Sequence, residues 1–439
     1  MFASLNFVIF VFQFYDFMEK QRLLSLDVFR GFTILLMTVV NNPGSWGSIY
    51  KPLDHAEWNG CTLADLVFPF FILILGVAVP LAMPVQKLDF KVFEKILVRS
   101  LRIFCLGWFL FFFGKIDFGE LTGFPLIALR MSITIVVCYA LLGKFSTAVK
   151  RNIVVTLFSI MMILAVCTET FAEVRIPGVL QRIAIVYFAT ALFYLTLSIK
   201  NQLNVITILL VGYYLLMNFV DVPGIGAANL EKGTNLSAWL DNILFGNHNY
   251  APTKTWDPEG SLSTLPAIAN GMIGAILGQI IAKAKTQISI VKNLVILGIG
   301  MIVLGLICDN FFPINKALWS SSYVLFTAGL GSLSIGILYF IIDIKKIQTW
   351  SKPFLIWGVN PMIVFFFSGI IPRVLGLIKF DNPSNLSEKT NLQSYLYQNY
   401  IAAFFENPFN ASLAGSLVYI VIWTFILWIF YRKNLIFKV

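Results

Sequence analysis

The chain has 439 residues, of which 58% are hydrophobic and only 12% are charged, and its formal net charge is +10. Soluble domains carry about 25% charged residues, so this composition excludes an ordinary soluble protein. The positive charge does not indicate a nucleic-acid partner, because the basic residues cluster in alternate loops between apolar runs.

Apolar runs long enough to cross a bilayer as helices recur along the whole chain. Twelve spans are predicted, at residues 23–41, 63–83, 95–113, 124–142, 152–168, 178–198, 203–220, 263–282, 291–309, 320–342, 353–372 and 412–431. The sequence therefore predicts an all-α, polytopic membrane protein with about twelve transmembrane helices.

The charge of the loops predicts how these spans are oriented. Loops after even-numbered spans carry the basic residues, such as Lys144, Lys150 and Arg151, whereas loops after odd-numbered spans carry mostly Asp and Glu. Basic loops face the cytoplasm in such proteins. Both termini are therefore expected to be cytoplasmic, and the protein is expected to be a multi-pass protein of the cell inner (plasma) membrane. Two long loops, 221–262 and 373–411, then lie outside and are suited to covering a site.

The beginning of the chain precedes the first span. Residues 1–17 are apolar but lack a basic n-region and a small-residue cleavage site, so a cleaved signal peptide is not expected. Met18 looks like a natural start. We interpret residues 1–21 as a leader outside the folded unit, and residues 22–439 as a single transmembrane domain.

Polar residues at the external ends of spans are the candidates for a functional site, because ionisable groups at a membrane usually face a partner or a wet cavity. His55, one of two histidines, lies between the first two spans. Its imidazole can take and give a proton near neutral pH. With Asn41 at the end of the first span, and Asp257 and Glu259 as carboxylates able to orient the ring, these residues are suited to acyl transfer.

Structural interpretations remain open for several polar residues. Asp65 and Arg182 are equally consistent with an ion pair, and Asn360-Pro361 with a helix kink. The five cysteines form no CxxC pair, and no Cys/His spacing suits a metal, so no metal site is predicted.

Six ordered motifs carry a resemblance to a known family. They are SLDVFRG (25–31), HAEWNGCTLADLVFPFF (55–71), RIPGVLQRIAIVYF (175–188), DPEGSLSTLPAI (257–268), NKALWSSSYVL (315–325) and WGVNPM (357–362). Together they resemble the heparan-alpha-glucosaminide N-acetyltransferase family and its bacterial relatives, over nearly all of residues 22–432. Members of that family are polytopic enzymes that take acetyl from cytosolic acetyl-CoA and deliver it to the amine of a terminal glucosamine across the membrane.

The resemblance implies roles for individual residues. His55 corresponds to the family's essential histidine, and Asn41 to the asparagine that closes the preceding helix. Acetyl-CoA, the expected co-substrate, is anionic and would enter from the basic side. Its expected contacts are Arg30, Arg182, Lys316, Asn315 and Trp319. Residues expected to be either substrate-binding or structural are Asp65, Trp58, Asn59 and Asn360.

Two departures from the animal enzymes concern the acceptor. We expect the large luminal domain of those enzymes to be absent, and residues 124–168 look like an inserted helical hairpin. The resemblance therefore implies a bacterial-type member whose acceptor, an amino sugar or short glycan, is not defined by sequence.

The predicted function is acetyl transfer from acetyl-CoA to a glucosamine-type amine at the external face, with His55 as general base. Direct transfer is favoured over an acetyl-imidazole intermediate, which external water would hydrolyse. The partners are the two substrates and the lipid bilayer, and a homodimer is left open. The alternative is a secondary transporter of a small sugar or organic solute, since twelve spans and a Pro-broken helix also fit one.

Overall fold

The computed structural model describes residues 23–83, 87–117, 119–382 and 385–437, so the proposed leader lies outside the described residues. These residues form fifteen α-helices, several short 3₁₀ or π-helical segments and one two-stranded sheet. The helices are α1 (Leu24–Asn41), α2 (Leu63–Ala82), α3 (Phe90–Phe113), α4 (Gly123–Leu142), α5 (Thr147–Cys167), α6 (Val179–Thr196), α7 (Ile199–Phe219), α8 (Leu236–Phe245), α9 (Thr264–Lys283), α10 (Gln287–Asp309), α11 (Ser321–Leu338), α12 (Lys352–Val359), α13 (Pro361–Leu377), α14 (Leu392–Tyr400) and α15 (Pro408–Arg432). The strands are β1 (Lys379–Asn382) and β2 (Asn385–Asn391), which pair antiparallel.

The predicted all-α membrane architecture is confirmed. Eleven of the described helices are long and apolar enough to cross a membrane, and a further pair, Thr349–Val359 and Pro361–Leu377, passes the same criterion but is bent by 69°. Counted as one broken span, this pair brings the total to the twelve predicted. The bend falls at Asn360-Pro361, because proline cannot donate the helical hydrogen bond and restricts the residue before it.

Several helices begin four or five residues before the predicted spans. The side chains of Asp89, Ser146 and Ser198 cap the starts of α3, α5 and α7 by accepting hydrogen bonds from backbone N–H groups. These caps extend the helices into basic first turns. A prediction from hydropathy leaves such turns out of the span, because their basic residues lower the average. Long basic side chains at a helix end can nevertheless reach the membrane surface.

The centre of the bundle is formed by α2 and α9, which are the most buried spans. The two helices approach closely through small residues. A Cβ atom on Gly76 of α2 would lie 2.1 Å from the carbonyl oxygen of Gly271 on α9. Small residues at such a crossing let two backbones touch inside a membrane. In helices α5, α10 and α15, only about a fifth of the apolar 18-residue stretch is buried inside the protein. These helices therefore form the outer layer.

The described ends of the chain lie at the same end of the bundle. The backbone N–H of Ser25 donates to Asp343, just after α11, at 3.1 Å. The ring of Phe354 on α12 lies 6.0 Å from that of Phe32 on α1, and the side chain of Asn360 accepts from the N–H of Phe437 at 2.9 Å. The loops with the basic bias lie at this end, which we call the basic end. The loop that holds His55 lies at the opposite end, between α1 and α2.

The two long loops at the opposite end contain short secondary structure. The first holds α8, and the second holds the β1–β2 hairpin and α14. The hairpin formed by α4 and α5, within the interpreted insertion 124–168, packs mainly against α3 at the outside of the bundle. Its removal would therefore leave the α2–α9 centre in place.

The orientation of the bundle can be tested with two matched substitutions. Lys51→Cys lies in the exposed loop beside His55, and Lys345→Cys lies at the basic end. If the basic end is cytoplasmic, an impermeant maleimide added to intact cells should label position 51 and not position 345. In permeabilised cells, both positions should be labelled. The native surface-reaching cysteines, Cys61, Cys167 and Cys308, are first replaced by alanine. Labelling at 345 alone in intact cells would reverse the predicted orientation.

Candidate active site

The loop between α1 and α2 is fixed by docking onto the loop before α11. The N–H of Gly60 donates to the carbonyl oxygen of Ile314 at 2.7 Å, and the side chain of Asn315 donates to Asn59 Oδ1 at 3.1 Å. Gly60 has φ +110°, a conformation that glycine adopts without a steric penalty. The Trp58-Asn59-Gly60 turn is therefore a docking element that brings residues 55 and 316 together.

Trp58 anchors the same turn on a third loop. Its indole N–H donates to the carbonyl oxygen of Leu230 at 3.1 Å. Its ring packs edge-on against Trp256, with ring centroids 5.7 Å apart. The loops before α2, α8, α9 and α11 thus meet around His55.

The imidazole of His55 is oriented by Asp65. Nδ1 of His55 lies 2.8 Å from Asp65 Oδ1, and the ring is 46% exposed whereas the carboxylate is 1% exposed. An ionised carboxylate only accepts hydrogen bonds, so Nδ1 carries the proton that it donates to Asp65. Nε2 is then the free basic nitrogen, and it belongs to a ring that solvent can reach.

Asp65 is placed by the start of α2. Its Oδ2 accepts hydrogen bonds from the N–H and the hydroxyl of Thr62, at 3.0 and 3.1 Å, and from the N–H of Ala56 at 3.1 Å. Thr62 and Asp65 form a reciprocal capping box that fixes the first turn of the helix. The hydroxyl of Tyr323 on α11 also donates to the backbone carbonyl of Asp65, at 2.5 Å. The carboxylate therefore has little freedom to leave His55.

Lys316 reaches the same pair of residues from the loop before α11. Its ammonium nitrogen lies 3.0 Å from both ring nitrogens of His55 and 3.6 Å from Asp65 Oδ1. A donor equally close to both nitrogens does not lie along the lone pair of either one, so this contact is mainly electrostatic. Burial raises the pKa of the nearby Cys61 thiol to about 12, and Asp65 adds to the shift. Cys61 is therefore a neutral thiol at pH 7 and not a competing nucleophile.

A second charged cluster lies in the segment before α9. Arg175 donates to both carboxylate oxygens of Asp257, at 2.7 and 2.5 Å, and also to Glu259. Tyr250 lies under the guanidinium at 4.5 Å from its ring centroid. Burial works to lower the pKa of Arg175, but Glu259 and Asp257 raise it overall, so the guanidinium stays charged. One arginine thus compensates two carboxylates.

The acidic groups of this cluster differ in their pKa. Burial raises the pKa of Asp257 despite its bonds to Arg175. Burial also works against the charge of Glu259, yet Arg175, Arg182 and Lys316 hold its pKa below the usual value. Neighbouring Asp241 accepts from the N–H of Ser261 at 2.8 Å, and burial raises the pKa of Asp241 to about 6.

Arg182, in the first turn of α6, lies between the two clusters. It is 1% exposed and donates to Gly260 O at 3.1 Å and to Ser263 Oγ at 2.5 Å. Its guanidinium stacks 5.0 Å from the ring centroid of Trp319, a fully buried residue with φ +54°. This backbone conformation is unfavourable for a bulky residue, so the loop before α11 stores local strain beside the site.

A half-open cavity of about 480 Å³ lies among α1, α3, α6 and α13, on the side of the bundle away from the basic end. This volume is typical of a site for one small molecule. Trp46, which is 71% exposed, and Phe111 contribute aromatic surface. Gln181 is 2% exposed, and its amide nitrogen has no hydrogen-bond partner among the residues described. The polar residues of the wall are Asn41, Asn42, Arg175, Gln181, Ser368 and Arg373.

The structure brings some of the predicted site residues together and separates others. His55, Asp65 and Lys316 meet, with Asn59 and Asn315 in the loop contact beside them. Asn41 lies in the cavity wall. Arg175 of the second charged cluster is part of the same wall. Arg30 lies on the half of α1 nearer the basic end, bonded to Asp27 at 3.0 Å.

Two expectations about contacts need correction. Asp257 and Glu259 were expected to orient His55, but they bind Arg175, and Asp65 holds the ring instead. The ion pair considered between Asp65 and Arg182 is not formed, because Arg182 bonds to Gly260 and Ser263.

Other predicted residues have structural contacts. Asn315 and Trp319 are almost completely buried, and Asn315 Oδ1 accepts from the N–H of Leu318 at 2.9 Å within its own loop. Asn360 donates to Leu435 O and accepts from the N–H of Phe437, both at 2.9 Å. Asn360 therefore links the helix break to the segment after α15. This agrees with the interpretation of Asn360-Pro361 as a helix kink.

Sequence reasoning did not foresee the roles of Asp65 and Lys316, or the presence of Gln181 and Arg373 in the cavity wall. A usable signal existed for Asp65. The run Thr62-Leu63-Ala64-Asp65 before an apolar segment has the spacing of a capping box, which places the carboxylate in the first turn of a helix.

Comparison with known proteins agrees with the resemblance seen in the motifs. Over 95% of its length the chain is 26% identical to heparan-alpha-glucosaminide N-acetyltransferase of Homo sapiens, and over 96% it is 27% identical to the protein of the same name from Mus musculus. The chain spans 60% and 61% of the length of these relatives, respectively. No protein-family model matches the chain. The chain is thus similar to two heparan-alpha-glucosaminide N-acetyltransferases along almost its whole length.

The Arg175 cluster predicts a large effect on stability. Arg175→Ala should lower the free energy of unfolding by about 3–5 kcal/mol, because two largely buried carboxylates lose their shared cation. Adding Asp257→Asn and Glu259→Gln should restore part of the loss by removing the uncompensated charges. Thermal unfolding of the purified protein in detergent measures both effects.

The matched control is Arg151→Ala. Arg151 also pairs with a carboxylate, Glu94, at 2.8 Å, but its side chain is 49% exposed. Exposed pairs contribute at most about 1 kcal/mol, so this variant should melt close to the wild type. If Arg175→Ala is no more destabilising than Arg151→Ala, the cluster is not the structural element described.

Proposed function

We propose that this protein is a transmembrane acetyltransferase that moves acetyl from acetyl-CoA to the amine of a glucosamine-type sugar, with His55 as the general base. The observation that carries the proposal is the His55–Asp65 pair, in which a buried carboxylate binds Nδ1 and leaves Nε2 as the unprotonated nitrogen of a ring that is 46% exposed. The similarity to two N-acetyltransferases supports the same class of reaction.

The proposed reaction is a direct transfer. The sugar nitrogen attacks the thioester carbonyl carbon, the new C–N bond forms, and the C–S bond to CoA breaks. The proton of the attacking nitrogen goes to Nε2 of His55, and the departing thiolate carries away the electrons of the C–S bond. A glucosamine amine is partly protonated near pH 7, so a base that restores the free amine accelerates the reaction.

The position of the cavity supports a binding site for acetyl-CoA, the proposed donor. Its wall includes Asn41, which closes α1, and Met37, one turn earlier on the same helix. Arg30 lies seven residues before Met37, so helical periodicity places all three on nearly the same face of α1. From Arg30 to Asn41 the helix rises by about 16 Å. An acetyl-CoA molecule extended along this face would bring its phosphates towards the basic end and its thioester towards the cavity.

The multi-pass fold supports a membrane location, and we propose the cell inner (plasma) membrane as that location. There, the basic end would face cytosolic acetyl-CoA and His55 would face the outside. The acceptor is proposed only as a class, an amino sugar or short glycan that carries a free amine.

The central test is the substitution His55→Ala. It should reduce acetyl transfer by about 10²–10⁴-fold, because a general base typically contributes that factor. Thermal stabilisation by acetyl-CoA should remain, since the ring is proposed to act in chemistry and not in donor binding. The assay uses purified protein, labelled acetyl-CoA and a panel of amino sugars.

The control is Glu57→Ala, an exposed residue two positions from His55 in the same loop, which should keep wild-type turnover. Substantial turnover by His55→Ala would show that the base lies elsewhere. Uptake of an unmodified sugar into proteoliposomes, without acetylation, would instead favour the transporter alternative.

A further inference from the structure

The ring of His55 faces charges of both signs. Asp65 on α2 bonds to Nδ1 at 2.8 Å, and Lys316, from the loop before α11, lies 3.0 Å from both ring nitrogens. The side chain of Asp54 bonds to the backbone N–H of His55, also at 2.8 Å. Glu259, from the segment before α9, acts on Lys316 electrostatically. The neutral Cys61 thiol completes the ionisable groups around these side chains.

These charges act on the imidazole in opposite directions. The Asp65 carboxylate stabilises the protonated ring. The Lys316 ammonium repels a proton on the ring. Lys316 is 22% exposed, so solvent screens it only in part. Burial lowers the pKa of Lys316 below its ordinary value, and the opposing effects of Asp65 and Glu259 reduce that shift without reversing it.

We infer that Lys316 is a positioning residue whose ammonium disfavours a proton on Nε2 of His55 while Asp65 holds the ring in place. This inference rests on the proposed role of His55 as the base, and it differs from the acetyl-CoA contact that the sequence led us to expect for Lys316. Through its contact with both ring nitrogens, the ammonium offsets the effect of the carboxylate. Asp65 thus sets the tautomer of His55, with the proton on Nδ1, and Lys316 disfavours a second proton on Nε2.

The experiment is a titration of His55 that does not require acetyl transfer. Diethylpyrocarbonate reacts with unprotonated imidazole, and peptide mass spectrometry separates His55 from His248, the second histidine of the chain. The ring of His248 has its own partner, the carbonyl oxygen of Val174 at 2.8 Å, and serves as the internal reference. The rate of modification is measured against pH in the wild-type protein and in the variants.

Lys316→Met, which keeps a stem of similar shape, should raise the titration midpoint of His55 by about one pH unit or more. Lys316→Arg keeps the charge and should stay near the wild type. Asp65→Asn should shift the midpoint in the opposite direction, and Glu57→Ala should leave it unchanged. Lys316→Gln is measured in parallel. It replaces the Met variant if the reference titration of His248 or thermal unfolding shows that the Met variant is misfolded.

An unchanged His55 midpoint in the neutral Lys316 variants would overturn the inference, and a loss of acetyl-CoA stabilisation in them would then favour the acetyl-CoA contact expected from the sequence. The pH dependence of kcat/KM separates this inference from the proposed function. If the midpoint moves and the acid limb of kcat/KM moves with it, both are supported. If the midpoint moves while the acid limb of kcat/KM stays fixed, the effect of Lys316 on the ring is supported but His55 is not the base.

Discussion

The buried carboxylate of Asp65 connects the fold of this protein to its candidate chemistry. One oxygen accepts hydrogen bonds from Ala56 and Thr62, which fix the loop and the first turn of α2, and the other holds the imidazole of His55. A charged group at this depth is costly unless its bonds are satisfied, so the loop must close around it. Lys316 then enters from another part of the chain, because the carboxylate needs a cation as well as donors. The same contacts that stabilise the start of α2 therefore orient the proposed base.

The rest of the charge at this end of the bundle is balanced in the same way. Arg175 compensates Asp257 and Glu259, and Glu259 also acts electrostatically on Lys316. Arg182, stacked on Trp319, fills the space between the two clusters. Two carboxylates and three cations are thus coupled across the loops before α6, α9 and α11. A change in charge at one of them alters the electrostatic environment of the others, which explains why so many polar motifs of the sequence fall at this end.

The sequence predicted the spans well because hydrophobic length is a local property that the membrane imposes on each helix separately. Helix starts at Asp89, Ser146 and Ser198 were missed, since a hydropathy window does not recognise a cap followed by basic residues. The site was predicted only in part. Asp65 is ten residues from His55, and its spacing from Thr62 was readable, but Lys316 is 261 residues away. That contact depends on how two loops dock, and no local pattern carries this information.

The geometry of His55 also bears on the choice between direct transfer and an acetyl-imidazole intermediate. Asp65 occupies Nδ1, so Nε2 must serve either as the base or as the nucleophile. The ring is 46% exposed, and an acetyl group on Nε2 would meet water as readily as it would meet the acceptor. An acyl-imidazole is useful only where water is excluded until the acceptor binds. A base is not restricted in this way, because a proton taken from the amine can pass to solvent once the products leave. The exposure of the ring thus favours direct transfer over an acetyl-imidazole intermediate.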